Sequence, residues 1–287
     1  MTDPVDADPV DAAASRHGEV MDDGDVMLSL AGAGLAYGDR TLWQGLDLDL
    51  RRGEFVAVLG PNGSGKTSFL RVLLGQQALS AGTLTVGGRP VRRGSDLIGY
   101  IPQQRAVAAQ TPLRGRDLVR LGVDGHRWGL SAGGRRSRRR VEELLEAVGA
   151  TAFADVPLAL LSGGEQQRLR VAQALATDPA ILLCDEPLLS LDLHHQQVVA
   201  TLVDARRRSC ATSVVFVTHE INPILEMVDR VLYLAGGRFL IGPPEEVMTS
   251  QTLSDLYESP VEVLRVRGRF VVVGAPGSHD HGGEPPA

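Results

Sequence analysis

From Met27 to about Val91 the chain is a series of short apolar runs separated by glycine-containing turns. MLSLAGAGLAY, LDLDL and EFVAVLG have the pattern of strands, and TLTVGGRPV reads as a hairpin. The period changes at Lys66, where KTSFLRVLLG has helical spacing and Gly75 is placed to cap the helix. From about Ile98 to Leu161 strand patterns vanish, and VEELLEAVGA (Val141–Ala150) is a clear amphipathic helix. Strands return in AILLCDEP and SVVFVTHE, separated by the helical LHHQQVVATLVDARRR. PVEVLRVRGRFVVVG alternates like a β-hairpin, and the ending after Ala275 reads as flexible. Strand–loop–helix alternation with apolar runs buried on both sides predicts an α/β core with a mainly parallel sheet. A mostly helical insert interrupts it, and no internal repeat is visible.

Composition adds less. The 287 residues are 43% hydrophobic and 22% charged, ordinary values for a chain with a sizeable core. No apolar run approaches the roughly 18–20 residues of a membrane-spanning helix. The N-terminus is acidic, unlike a secretory signal, so the expected location is the cytosol. Cys184 and Cys210 lie in or beside apolar segments and are expected as two free buried thiols.

The net charge of −6 divides unevenly. Residues 1–26 carry eight acids against Arg16, so the rest of the chain is about +1. That balance gives no nucleic-acid surface, and the acidic head reads as a disordered tail. RRSRRR (Arg135–Arg140) is expected in a glycine-rich loop, as a solvated face or with local partners. Of the 29 basic residues, 28 are Arg and one is Lys, Lys66. Lysine stands at the one place where a compact ammonium on a flexible stem must reach between phosphate oxygens.

GPNGSGKT (Gly60–Thr67) fits G-x-x-x-x-G-K-[ST] in full, directly after a predicted strand and before a predicted helix. Gly60, Gly63 and Gly65 let the backbone curl so that successive N–H groups face phosphate. The new helix adds its positive end at the same point. Lys66 is placed to contact the β- and γ-phosphates and the Thr67 hydroxyl to ligate Mg²⁺. ILLCDEP (Ile181–Pro187) ends a buried strand in Asp185 and Glu186, at the sheet edge where α/β folds bind ligands. Asp185 is expected to hold Mg²⁺ through its water shell, and Glu186 to orient or deprotonate an attacking water. SVVFVTHE ends a further strand in His219, expected to contact the γ-phosphate or that water. In LSGGEQQRLRVAQAL (Leu161–Leu175), Ser162 followed by Glu165 is a capping-box pattern that starts a helix at Ser162. Its free N–H groups make a second anion site.

Together these residues resemble the motif set of the ATP-binding-cassette (ABC) ATPases over roughly residues 28–250. Gly60, Pro61, Asn62, Gly63, Ser64, Gly65, Lys66 and Thr67, with Ser68 after them, resemble Walker A, and ILLCDE resembles Walker B. Gln103 in GYIPQQ resembles the Q-loop, LLSLD ending at Asp192 the D-loop, His219 the H-loop, and Tyr37 in LAYGD the aromatic that stacks on adenine. LSGGEQQRL is similar to the family's signature. The resemblance implies ATP and Mg²⁺ as cofactors, with Gln103 joining Thr67 and Asp185 at Mg²⁺ and linking it to movement of the insert. It also implies that two copies pack head to tail, so that Leu161, Ser162, Gly163, Gly164 and Glu165 of one cap the nucleotide held by the other. LLSLD departs from the commoner SALD or TNLD form but keeps the Asp, which implies no loss of function.

The implied architecture is an ABC-type P-loop ATPase core with an antiparallel β-subdomain and a helical subdomain inserted between Walker A and Walker B. Its expected segments are a tail (1–26), the first part of the core (27–97), the helical subdomain (98–161), the signature helix and second part of the core (162–250), and a C-terminal extension (251–287). A lone cassette without membrane helices implies a separate ATPase subunit of an importer. Its implied partners are a second copy, integral-membrane permease subunits on the inner face of the cell membrane, and an extracytoplasmic solute-binding protein. The stretch THEINPILEMVDRVLYL, with Asn222-Pro223 and the Leu256–Tyr257 block, resembles the zinc and manganese importer ATPases, which implies Mn²⁺ or Zn²⁺ as the expected cargo. Siderophore and cobalamin importer ATPases share parts of it, so an iron-chelate cargo and a non-transport cassette stay open. His279 and His281 are expected to be incidental.

Overall fold

The computed structural model describes residues 25–103, 113–125 and 134–274. The acidic head and the two C-terminal histidines lie outside the described residues. In chain order the elements are β1 (Val26–Tyr37), β2 (Arg40–Arg51), β3 (Phe55–Leu59), α1 (Lys66–Leu73), β4 (Ala81–Val86), β5 (Arg89–Pro90) and β6 (Ile98–Ile101). Then come α2 (Gly115–Asp124), α3 (Arg135–Ala147), α4 (Gly163–Ala174), β7 (Ile181–Asp185), α5 (Leu193–Cys210) and β8 (Ser213–Val217). The chain ends with β9 (Arg230–Ala235), β10 (Arg238–Gly242), α6 (Pro244–Val247), α7 (Ser250–Tyr257), β11 (Glu262–Val266) and β12 (Arg269–Val273).

Six strands form the central sheet in the order β10-β9-β3-β8-β7-β6, parallel except for β10. Every residue of β3, β7 and β8 is buried, because the sheet is covered on both faces. Alternate side chains therefore enter different cores. Phe55, Ala57, Leu182, Cys184, Val214 and Phe216 face the helices. Val56, Val58, Ile181, Leu183, Val215 and Val217 face α1 and a second, antiparallel sheet of order β2-β1-β4-β5. β4 turns into β5 through Gly87 and Gly88, both at positive φ, the geometry of a tight hairpin. β11 and β12 form a separate hairpin.

Three expectations change. The strand β6 lies inside the stretch expected to be helical; four residues that end a loop carry too short a period to be read, and pairing with β7 defines them. The arginine run is not a loop but the first turns of α3. Arg is a good helix former, and local acids offset the unfavourable dipole end: Arg139 Nε lies 2.9 Å from Glu143 and Arg140 Nη2 2.5 Å from Asp178. Cys210 is exposed at the end of α5, whereas Cys184 is fully buried and its thiol is pushed up by desolvation.

The insert holds together through α3, whose Val141, Leu144 and Leu145 pack into the core shared with α4. Leu145 is completely buried, so Leu145→Ala should cost about 2–5 kcal/mol. A lower midpoint in urea with an unchanged slope is the expected result.

Candidate functional site

Parallel register brings the chemistry to one sheet edge. Val58 pairs with Val217, Asp185 with Val217, and Ile101 with Cys184, so β3, β8, β7 and β6 end level with one another. Their next residues are Gly60, Thr218–His219, Glu186 and Pro102–Gln103. The four segments belong to distant parts of the chain and meet only because the strands run in one direction.

The loop after β3 has Gly60, Gly63 and Gly65 at positive φ, with Gly65 as N-cap of α1. Gly60 is additionally constrained by space, since a Cβ there would overlap the carbonyl oxygen of Leu234 at the end of β9. Leu42 and Trp43 of β2 press on Gly65 from the other side, 3.2–3.3 Å from where a Cβ would sit. Lys66 Nζ donates to the carbonyls of Gly60 at 2.7 Å and Pro61 at 2.9 Å. Burial lowers the Lys66 pKa, and nearby Glu186 and Asp185 oppose that shift.

A cavity of about 450 Å³ opens over this loop, lined by Tyr37, Arg40, Asn62, Lys66, Thr67 and Glu186 among others. Its lining suits a nucleotide: helix-start N–H groups and an ammonium are groups that can bind phosphate, and the half-exposed Tyr37 ring stands at the rim. Tyr37 donates to Gln77 at 2.5 Å. The oxygen-donor set of Thr67 and Asp185 suits Mg²⁺.

Asp185 is buried, and its pKa is raised by desolvation, which the Tyr100 hydroxyl offsets by donating at 3.2 Å. Glu186 sits at φ 48, a left-handed backbone that costs of order 1–3 kcal/mol and is retained where function needs it. Its N–H still donates to Val217 O at 3.0 Å. Both carboxylate oxygens are engaged: Gln103 Nε2 donates to Oε2 at 3.0 Å, and His219 Nε2 lies 2.5 Å from Oε1. Gln103, Glu186 and His219 thus converge, and Glu186 also lines the phosphate cavity.

Ser162 is the N-cap of α4. Its N–H donates to Glu165 Oε2 at 2.8 Å and its Oγ accepts from the Glu165 N–H at 3.3 Å, a full capping box. The Ser162 contacts hold the Glu165 carboxyl below its usual range. Asp192 caps α5 in the same manner, accepting from the His195 N–H at 2.8 Å. The two helix starts share one further device. Gln166, four residues after its cap, donates to the Leu158 and Leu161 carbonyls, and Gln196, four residues after its own, donates to those of Leu188 and Leu191. Among the described residues, the phosphate cavity is lined by none of Leu161–Glu165.

Sequence reasoning missed Arg40, Tyr100 and His195. Arg40 lines the cavity and donates to Gly63 O at 3.0 Å. Tyr100 had a readable signal, standing three residues before Gln103 on the strand that neighbours Asp185. Among the described residues there is no metal-type cluster of His, Cys, Asp and Glu, and no helix long and apolar enough to cross a membrane.

The sequence profile of the family described as ABC transporter matches residues 43–189. The hemin import ATP-binding protein HmuV of Streptomyces coelicolor is 36% identical over 250 residues, covering 84% of this chain and 86% of that protein. The zinc transport system ATP-binding protein TroB of Treponema pallidum is 34% identical over 200 residues, 70% and 75% of the two chains. Among solved structures, an inward-facing transporter assigned to the metal-chelate ABC type superposes with a TM-score of 0.74 at 27% identity, covering 86% of this chain and 96% of that one. The dimeric ABC cassette MJ0796 bound to ADP and Pi gives 0.64 at 27% identity, covering 76% and 98%.

The raised Asp185 pKa has a stability sign. A carboxyl with a folded pKa above its unfolded value makes the fold less stable as pH rises through that window, and at neutral pH the full burial cost is present. Asp185→Asn keeps an acceptor for Tyr100 and removes the buried charge. Nucleotide-free Asp185→Asn is therefore expected to melt higher than the parent at pH 7, with the difference shrinking in acid, while losing ATP hydrolysis. Scanning fluorimetry against pH checks the first part and phosphate release the second.

Proposed function

Because the chain belongs to the ABC transporter family and is an ATPase of it, we propose that it is the ATP-hydrolysing subunit of a membrane importer whose cargo is a metal. The observation that carries the enzymatic part is the convergence of Gln103 and His219 on Glu186 at the rim of the Lys66 loop. Lys66 and the helix-start N–H groups neutralise the phosphates. Thr67 and Asp185, joined by Gln103, would hold Mg²⁺, which would supply charge neutralisation for the phosphates. Tyr37 stacks on the base. Glu186 orients and deprotonates the attacking water, with His219 fixing its carboxylate and facing the γ-phosphate.

The second anion site at Ser162–Glu165 lies outside the cavity over Lys66. Two copies arranged head to tail, each capping the other's nucleotide, make use of both. Permease subunits in the cell membrane and an extracytoplasmic solute-binding protein complete the system, and the chain works at the inner membrane face.

For the cargo, an iron chelate of the hemin type is favoured by the extent of the match to hemin import proteins, which spans 84% of the chain. A divalent Mn²⁺ or Zn²⁺ cargo is the second reading, carried by the zinc and manganese transport relatives at 34% and 29% identity. The residues that suggested it have structural work here. Asn222 exchanges two hydrogen bonds with the Phe270 backbone at 2.9 and 2.8 Å, and Tyr257 bonds the Tyr233 hydroxyl at 3.0 Å.

Glu186→Gln should bind ATP, turn over roughly 10²–10⁴-fold more slowly, and elute as an ATP-dependent dimer in size-exclusion chromatography; a fully active variant would refute the role of Glu186. Deletion of the gene should remove growth on hemin as sole iron source while cellular Mn and Zn stay unchanged. A fall in Mn or Zn with hemin use intact selects the second reading.

A further inference from the structure

Gly164 is glycine for a reason outside its own backbone. It is not among the positive-φ glycines, so it adopts a conformation any residue can take. Space is what it lacks. A Cβ at position 164 would overlap His195 Cδ2 and come within 2.5 Å of Cγ and 2.8 Å of Nε2. The position is buried, with the imidazole from α5 lying on the first turn of α4. The ring is fixed from its other side as well. Nδ1 lies 2.8 and 2.9 Å from the two Asp192 carboxylate oxygens, and His194 meets the ring edge-on at 5.5 Å between centroids. One imidazole thus spans from the carboxylate that caps α5 to the glycine turn that starts α4.

We infer that His195 is a positioning residue that keys the Asp192 loop to the first turn of the signature helix, so that Ser162, Gly163 and Asp192 meet a second copy's nucleotide as one rigid surface. The inference rests on the head-to-tail reading above. It assigns Gly164 a packing role within its own chain: the ring needs the empty side of the helix turn. The chain's own phosphate cavity is independent of this contact, since among the described residues neither His195 nor the Ser162 turn lines it.

The test uses the full chain in the Glu186→Gln background, with nucleotide affinity measured by fluorescent ATP binding and ATP-driven dimerisation by sedimentation velocity. His195→Ala should leave monomer affinity within about twofold and weaken the ATP-bound dimer by about tenfold, the scale of a contact coupling. His195→Asn, which keeps a donor toward Asp192 and loses the ring, should fall between. Gly164→Ala should lose the dimer, and adding His195→Ala should restore part of it, because the colliding ring is gone. A parent that dimerises with ATP while His195→Ala dimerises equally well overturns the inference alone. A parent that forms no ATP-dependent dimer overturns the head-to-tail reading and the inference with it.

Discussion

Parallel register across β3, β8, β7 and β6 is the constraint from which the site follows. Had any one of these strands run the other way, its carboxyl end would lie at the far edge of the sheet. Gly60, Glu186, His219 and Gln103 belong to segments up to about 160 residues apart in sequence, and pairing of Val58, Asp185, Val217 and Cys184 makes them neighbours. The cost of such a sheet is that both faces must be covered. Alternation in β3, β7 and β8 meets it by sending successive side chains into two separate cores. The antiparallel sheet is therefore more than an appendage: through Leu42 and Trp43 it also limits the room for a side chain at Gly65 of the phosphate loop.

What could be read from the chain was whatever depends on neighbours in sequence. The loop Gly60–Thr67, the strand ending in Asp185 and the capping box at Ser162 each carry their chemistry within a few residues. So does the helix cap at Gly75, whose N–H donates to Val72 O. What could not be read depends on contacts across the fold. Four residues of β6 give too little period to identify a strand without β7 beside it. The arginines of α3 look like a solvated loop until Glu143 and Asp178 are seen facing them. His195 is an ordinary helix residue in sequence, and only the packing of α5 against α4 shows why position 164 has no side chain.

The resemblance to metal importers rests partly on residues that hold the C-terminal hairpin rather than on any that could meet a cargo. Asn222 substitutes for a strand partner by pairing both backbone groups of Phe270, and the Tyr233–Tyr257 contact ties α7 to β9. Such residues report a shared way of finishing the domain. Relatives with different solutes in their names match this chain at 36%, 34% and 29% identity.

The carbonyl of Leu234 that fills the space beside Gly60 links the need for glycine there to a late part of the chain. On the ribosome, the glycine-rich segment emerges long before β9. That carbonyl comes beside Gly60 only after some 170 further residues have been translated and β9 has docked beside β3. A nascent chain arrested before Leu234 would carry every residue of the phosphate motif and still lack the carbonyl that bars a side chain at position 60.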